Sequence, residues 1–171
     1  NIPFNRPSVI GDELENIRTA VQQGHTSADG PYSAAAAEIL RAETGAAEVL
    51  LTTSCTAALE MSAMLLDVGP GDTVVVPSFG FVTTALAYSR QGARIHFCDI
   101  EPDTLGLDPA RLAEVMDPSV RAVVPIHYAG IAADLVLRAS LAGVLLFGVI
   151  GLLAGLGGLS PSAFVAVTVK A

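Results

Sequence analysis

No tryptophan occurs in this 171-residue sequence, cysteine appears twice and lysine once. Cys55 and Cys98 alone build neither a disulfide framework nor a metal-knuckle spacing. No metal site is therefore expected, and the default setting is a reducing, cytoplasmic one. Basic residues are scarce as well: nine Lys and Arg stand against seventeen Asp and Glu, a net charge of -8. That balance excludes a nucleic-acid binder, because phosphate affinity needs clustered Lys and Arg. Charged residues make up only 15% of the chain and hydrophobic ones 51%, which rules out disorder. The length allows one domain with a real core. The opening Asn1-Ile2-Pro3-Phe4-Asn5-Arg6-Pro7 lacks an apolar h-region and does not read as a signal peptide.

The acids stop at Asp134. All seventeen lie in residues 1–134 with seven arginines, whereas residues 135–171 carry only Arg138 and Lys170 as charged side chains. Leu141 to Leu159 is nineteen residues of Leu, Val, Ile, Ala, Phe and Gly without one polar side chain. The sequence therefore divides into an acidic part, 1–134, and a hydrophobic tail, 135–171.

The acidic part alternates between helical and extended patterns. Leu14, Ile17 and Val21 recur at helical spacing between Asp12 and Gly24, predicting a helix over 12–23. Ser33 is placed to cap an Ala-rich helix through about Glu43. Short apolar runs at 49–52, 73–76, 93–98 and 122–126 read as buried strands. Helices follow from Ser54-Cys55-Thr56, from Phe81 to Ser89 and from Leu107 to Met116, and Gly69-Pro70-Gly71-Asp72 is a turn. Strands alternating with helices of about ten residues mean βαβ units, a three-layer α/β fold and a mostly parallel sheet.

Ligands of such sheets sit beyond the carboxyl ends of the strands. Those ends carry Ser54-Cys55-Thr56, Ser78-Phe79-Gly80-Phe81, Asp99 and His127-Tyr128. A strand-to-helix junction with two hydroxyls and free backbone N–H groups makes a phosphate cradle. Ser54 or Thr56 equally suits a plain helix cap. Phe79 and Phe81 suit a core as well as a stacking platform, and His127 suits a structural hydrogen bond as well as catalysis. The pattern supports a pocket for a phosphorylated ligand.

Five stretches carry a resemblance. They are Ile2-Pro3-Phe4-Asn5-Arg6-Pro7, Asp29-Gly30-Pro31-Tyr32, Val49 through Thr52-Thr53-Ser54-Cys55-Thr56 to Met61, Pro77-Ser78-Phe79-Gly80-Phe81-Val82, and Pro125-Ile126-His127-Tyr128-Ala129-Gly130. Together and in this order, over residues 1 to about 134, they resemble the DegT/StrS family of nucleotide-sugar aminotransferases. Within it they are most like the dTDP-4-amino-4,6-dideoxygalactose transaminases. The resemblance implies the first part of the large domain of a fold type I enzyme that uses pyridoxal 5'-phosphate (PLP). It implies a sugar nucleotide and an amino-acid donor as substrates and homodimers among full-length relatives. Ser54, Cys55 and Thr56 match the loop that holds the PLP phosphate, Phe81 the aromatic stacked on the pyridine ring, and His127 a histidine on the cofactor side. Arg6, Gly30, Pro31 and Tyr32 match the substrate side. Two departures stand out. Ala34 to Ala37 replaces a more polar helix start, weakening substrate contact there, and Gly80 replaces a common Thr, which loosens the ring platform.

A PLP transaminase also needs a Schiff-base lysine and a carboxylate for the pyridine nitrogen. In the family both lie downstream of the His-Tyr-Ala-Gly stretch. Here no acid follows Asp134, and the only lysine is Lys170, in a context unlike the family's lysine loop. No catalytic residue is assigned, and the chain is expected to be inactive alone. Three readings of the tail remain: a membrane anchor over 141–159, a helix and strand filling the core, or a shifted reading frame. The alternative to an enzyme is a non-catalytic fragment or a binding or pairing module with a hydrophobic or membrane-anchoring tail.

Overall fold

Thr73 to Pro77 is buried along its whole length, and that strand organises everything around it. A continuous apolar run without polar alternation belongs to a strand covered on both faces. In the computed structural model, described for residues 9–46, 48–131, 145–146, 148–151 and 165–168, layers of helix lie on either side of it. The elements are α1 (Glu13–Gln22), α2 (Pro31–Thr44), β1 (Val49–Thr52), α3 (Cys55–Leu65), β2 (Thr73–Pro77), α4 (Thr83–Ser89) and β3 (Arg94–Cys98). They continue with α5 (Pro109–Val115), β4 (Val120–Val123), a 3-10 turn (Tyr128–Gly130), β5 (Leu145–Leu146), β6 (Gly148–Gly151) and β7 (Val165–Thr168).

β3, β2, β4 and β5 form one sheet in that order, all parallel. β1, β7 and β6 form a second, in which β1 and β6 both run against β7. The strand over 49–52 is thus where the sequence puts it, but its neighbour is β7 of the tail and not another strand of the parallel set. A register shift between β2 and β4 near Thr73 and Val74 turns Val120 and Val123 to one face and Ala122 to the other. On the first face Val75, Cys98, Val120 and Val123 pack against Leu107 and Leu112. On the other, Val74, Val76, Ala122 and Val124 pack against Ala58, Leu59 and Ala63 of α3 and Ala87 and Tyr88 of α4. This is the expected α/β/α sandwich.

Several boundaries move for identifiable reasons. α2 begins at Pro31 with Gly30 as its N-cap, ahead of Ser33, because proline's fixed φ suits the first helical position. α4 begins at Thr83, leaving Phe81 in the loop before it. β4 ends at Val123, short of Ile126. Val124 still donates its N–H to the Val75 carbonyl at 2.9 Å, and Pro125, with no N–H, ends the ladder. The turn at 69–72 forms as read: the Gly69 amide donates to Asp72 Oδ2 at 2.9 Å, and Gly71 takes a φ of 101° that favours glycine.

The tail departs most from a helical reading. Residues 145–146 and 148–151, inside the nineteen-residue apolar run, are strands, so no single helix runs from 141 to 159. No helix among the described residues is long and apolar enough to cross a membrane. Six glycines weaken a helix there, and the β-branched Val149 and Ile150 suit the strand β6 in which they lie. Arg6 and Lys170 lie outside the described residues.

Between the two helices on one face sits a buried polar contact. Ser62 Oγ donates to the Leu59 carbonyl at 2.7 Å and also lies 2.7 Å from the Tyr88 hydroxyl. The serine has one proton, already used, so Tyr88 donates and Ser62 accepts. Tyr88→Phe removes that donor and is expected to cost about 1 kcal/mol, lowering the thermal midpoint by about 2–4 °C. A melting curve unchanged by Y88F counts against this bond.

Candidate functional site

β1 delivers the chain to Ser54 in an extended conformation, and α3 starts at the next residue. Thr52 Oγ1 donates to the Ser54 carbonyl at 2.9 Å, and Ser54 Oγ accepts from the Ala57 amide at 3.0 Å. Ser54 is therefore the N-cap, the plainer of the two roles its sequence allows. The amides of Cys55 and Thr56, the first two of the helix, have no acceptor within it. They point their partial positive charge toward an incoming anion, where the helix dipole adds to it. Cys55 is exposed, yet the protein around its thiol removes enough water to push its pKa up. Burial first, and the nearby Cys55 second, also push the Tyr88 hydroxyl up, against the Ser62 hydrogen bond. The Ser62–Tyr88 contact ties α3 to α4.

Beyond the carboxyl ends of β2 and β3 lies a cavity of about 220 Å³. Its wall includes Val76, Ser78, Gly80, Phe81, Phe97 and Ile126, with Val82, Thr84 and Ala85 from the start of α4. The Ser78 amide donates to the Cys98 carbonyl at 2.8 Å, tying the 78–82 loop to the end of β3. Phe81 is 73% exposed, a ring presented and not packed away. Next to it, Phe79 and Tyr128 stack with centroids 4.6 Å apart and planes tilted by 48°, joining the loop after β2 to the turn after β4. A Cβ built on Gly80 would lie 2.6 Å from Ile126 Cδ1, so isoleucine fills that space.

The expected constellation is brought together in part. α3 and α4 share one face of the sheet, which puts Thr56 and Phe81 on the same side. Ser54, Cys55, Thr56 and His127 are not among the residues that line the cavity containing Phe81. His127 is exposed and opens the 3-10 turn, its carbonyl accepting from the Gly130 amide at 3.2 Å. Gly30 is buried under the His25 ring, Pro31 opens α2, and Tyr32 is 41% exposed. The described residues include no lysine. Phe97 and Ile126 are the residues that sequence reasoning missed. Phe97 carried one signal, its place two residues after Ile95 on the face toward α4, while Ile126 read as an ordinary strand residue.

The model of the DegT/DnrJ/EryC1/StrS aminotransferase family matches residues 7–143. The chain belongs to that family. Among solved structures it is similar to Spr1654 of Streptococcus pneumoniae, assigned as a sugar aminotransferase and solved with pyridoxamine 5'-phosphate (PMP), with 28% identity and a TM-score of 0.70. That match covers 78% of this chain and 34% of Spr1654, which is also solved in its PLP form. The aminotransferase TlmJ of Streptoalloteichus hindustanus is 35% identical over 72% of this chain and 34% of its own, with a TM-score of 0.67. An aminotransferase from Psychrobacter cryohalolentis shares the fold over 98% of this chain and 49% of its own, at 18% identity and a TM-score of 0.80. The family member described here thus spans about a third to a half of the length of these relatives.

Proposed function

We propose that this chain is the cofactor-cradling part of a PLP-dependent sugar aminotransferase. The reaction is transfer of an amino group from an amino acid, glutamate as the donor, to a 4-keto-6-deoxy sugar nucleotide. The observation that carries the reading is the start of α3 set beside α4, on the same face as an exposed aromatic ring. The residues present fit two ends of the cofactor. Backbone amides of Cys55 and Thr56 suit its phosphate, with Ser54 holding the helix start in place. Phe81 offers a flat apolar surface for the pyridine ring. On the family's pattern His127 belongs to the cofactor side, and Arg6, Gly30, Pro31 and Tyr32 to the substrate side, of an enzyme that works as a homodimer. PLP, when bound, supplies an aldehyde carbon and an electron-withdrawing ring. This chain binds and orients it and excludes water from one side of the ring.

A second reading is favoured by one observation: Lys170 is the only lysine. On that reading the chain is a non-catalytic binding or pairing module that retains the cradle, with β5, β6 and β7 of its hydrophobic tail paired to β4 and β1. Equilibrium dialysis against PMP, which forms no covalent bond to lysine, tests the feature common to both. Saturable binding is expected, competed by inorganic phosphate and weakened about tenfold by Phe81→Ala. Binding that is absent, or indifferent to F81A, removes the cradle from both readings.

A further inference from the structure

Gly80 is the one glycine of the 78–82 loop, and its backbone does not explain it. It is not among the glycines with positive φ, so a side-chain residue suits its conformation. What a side chain would meet is one atom: a Cβ at position 80 would lie 2.6 Å from Ile126 Cδ1, the free end of a flexible side chain, which would have to move. Both residues line the cavity that holds Phe81. Ile126 follows Pro125, whose ring fixes its own φ, and Phe81 follows Gly80 directly in the chain. A side chain at 80 therefore moves the free end of the isoleucine before it moves either backbone, and that end forms the cavity wall.

We propose that Gly80 and Ile126 are a complementary pair of positioning residues that sets the width of the ring site, Ile126 Cδ1 standing where a side chain at 80 would stand. The proposal rests on the reading of Phe81 as the platform for the cofactor ring. It assigns to Gly80 a steric role in place of a conformational one, and to Ile126 a role in shaping the site. Valine lacks the δ-carbon, so Ile126→Val removes the colliding atom and little else.

Four full-length chains test it: wild type, G80A, I126V and G80A/I126V, each dialysed against PMP and melted in parallel. G80A is expected to weaken PMP binding about tenfold. I126V, which widens the site by one methyl group, is expected to weaken binding about threefold, and the double variant to bind as I126V does and more tightly than G80A. Double-variant binding as weak as that of G80A, or G80A binding like wild type, overturns the pair. Should G80A fail to fold, the double variant must regain the folded state, and its failure to do so overturns the proposal equally. Wild-type chain that binds no PMP defeats the cofactor reading instead, which is a different result from intact binding without coupling.

Discussion

Given PLP, glutamate and a 4-keto-6-deoxy sugar nucleotide, the purified 171-residue chain is expected to turn over neither substrate. Borohydride reduction followed by mass spectrometry is expected to find no pyridoxyl group on Lys170. The reasoning is chemical. Transamination needs a primary amine that bonds the cofactor reversibly and then relays a proton, and a carboxylate that keeps the pyridine nitrogen protonated. The sequence offers one lysine, at position 170, and no Asp or Glu after Asp134. On the proposed reading, stacking on Phe81 and phosphate contacts at Cys55 and Thr56 would supply affinity, but neither supplies a proton acceptor at the reacting carbon. Each missing group costs orders of magnitude in rate, at about 1.4 kcal/mol of barrier for every factor of ten. The measurement separates binding from chemistry, since PMP binding is expected to persist where turnover does not. A specific adduct on Lys170 accompanied by amino-sugar formation overturns this prediction.

The parts of this fold that were legible in the sequence are those governed by local chemistry. β2 announced itself as Thr73-Val74-Val75-Val76, a run that only a strand covered on both faces accommodates. The turn at 69–72 did so through a proline and a glycine, and α3 through the hydroxyl at Ser54 that caps it. What could not be read is decided by partners distant in sequence. β1 looks like a member of the parallel set, and its length gives no hint that β7, more than a hundred residues later, is its neighbour. The apolar run at 141–159 satisfies the composition of a membrane helix as well as that of a buried strand, and pairing of Leu145 and Leu146 with β4 decides between them.

The same division holds at the site. Hydroxyls at a strand-to-helix junction and aromatics at strand ends are types that can be recognised in a sequence. Whether they meet in one cavity depends on which strands become neighbours, and β1, which leads into Ser54, takes β7 as its neighbour, a partner no local pattern announces. The Gly80–Ile126 contact was invisible for another reason. A glycine in a sequence suggests a turn, whereas this one marks a close approach that only the packed structure reveals. Leu14, Ile17 and Val21 show the converse: the helical pattern correctly gave α1, yet no residue of that helix is buried.

Leu112→Ala is expected to produce the largest loss of stability of any single truncation in the described core. Leu112 is 1% exposed and sits in α5, packed with Val75, Cys98, Leu107, Val120 and Val123. α5 has seven residues, too few to be helical by themselves in water. Its start is secured by Pro109 and by Asp108, whose Oδ1 accepts from the Ala110 amide at 2.8 Å, but a cap orients a helix without holding it to a sheet. Leu112, the one buried residue of the helix, is what attaches it. Truncation removes the apolar surface of the side chain and leaves a void that Val75 and Val123, on a sheet fixed by its ladders, cannot collapse to fill. The expected cost is about 2–5 kcal/mol, against a total stability of about 5–15 kcal/mol for a domain. Loosening α5 also exposes Cys98, now buried, so the loss is expected to appear as faster thiol labelling as well as a lower denaturation midpoint. Leu65→Ala is the control, because Leu65 lies at the end of α3 with 52% of its surface exposed and is expected to change stability by no more than about 0.5 kcal/mol. If L112A and L65A unfold at the same denaturant concentration, with Cys98 equally protected in both, the face covered by α5 is not the core described here.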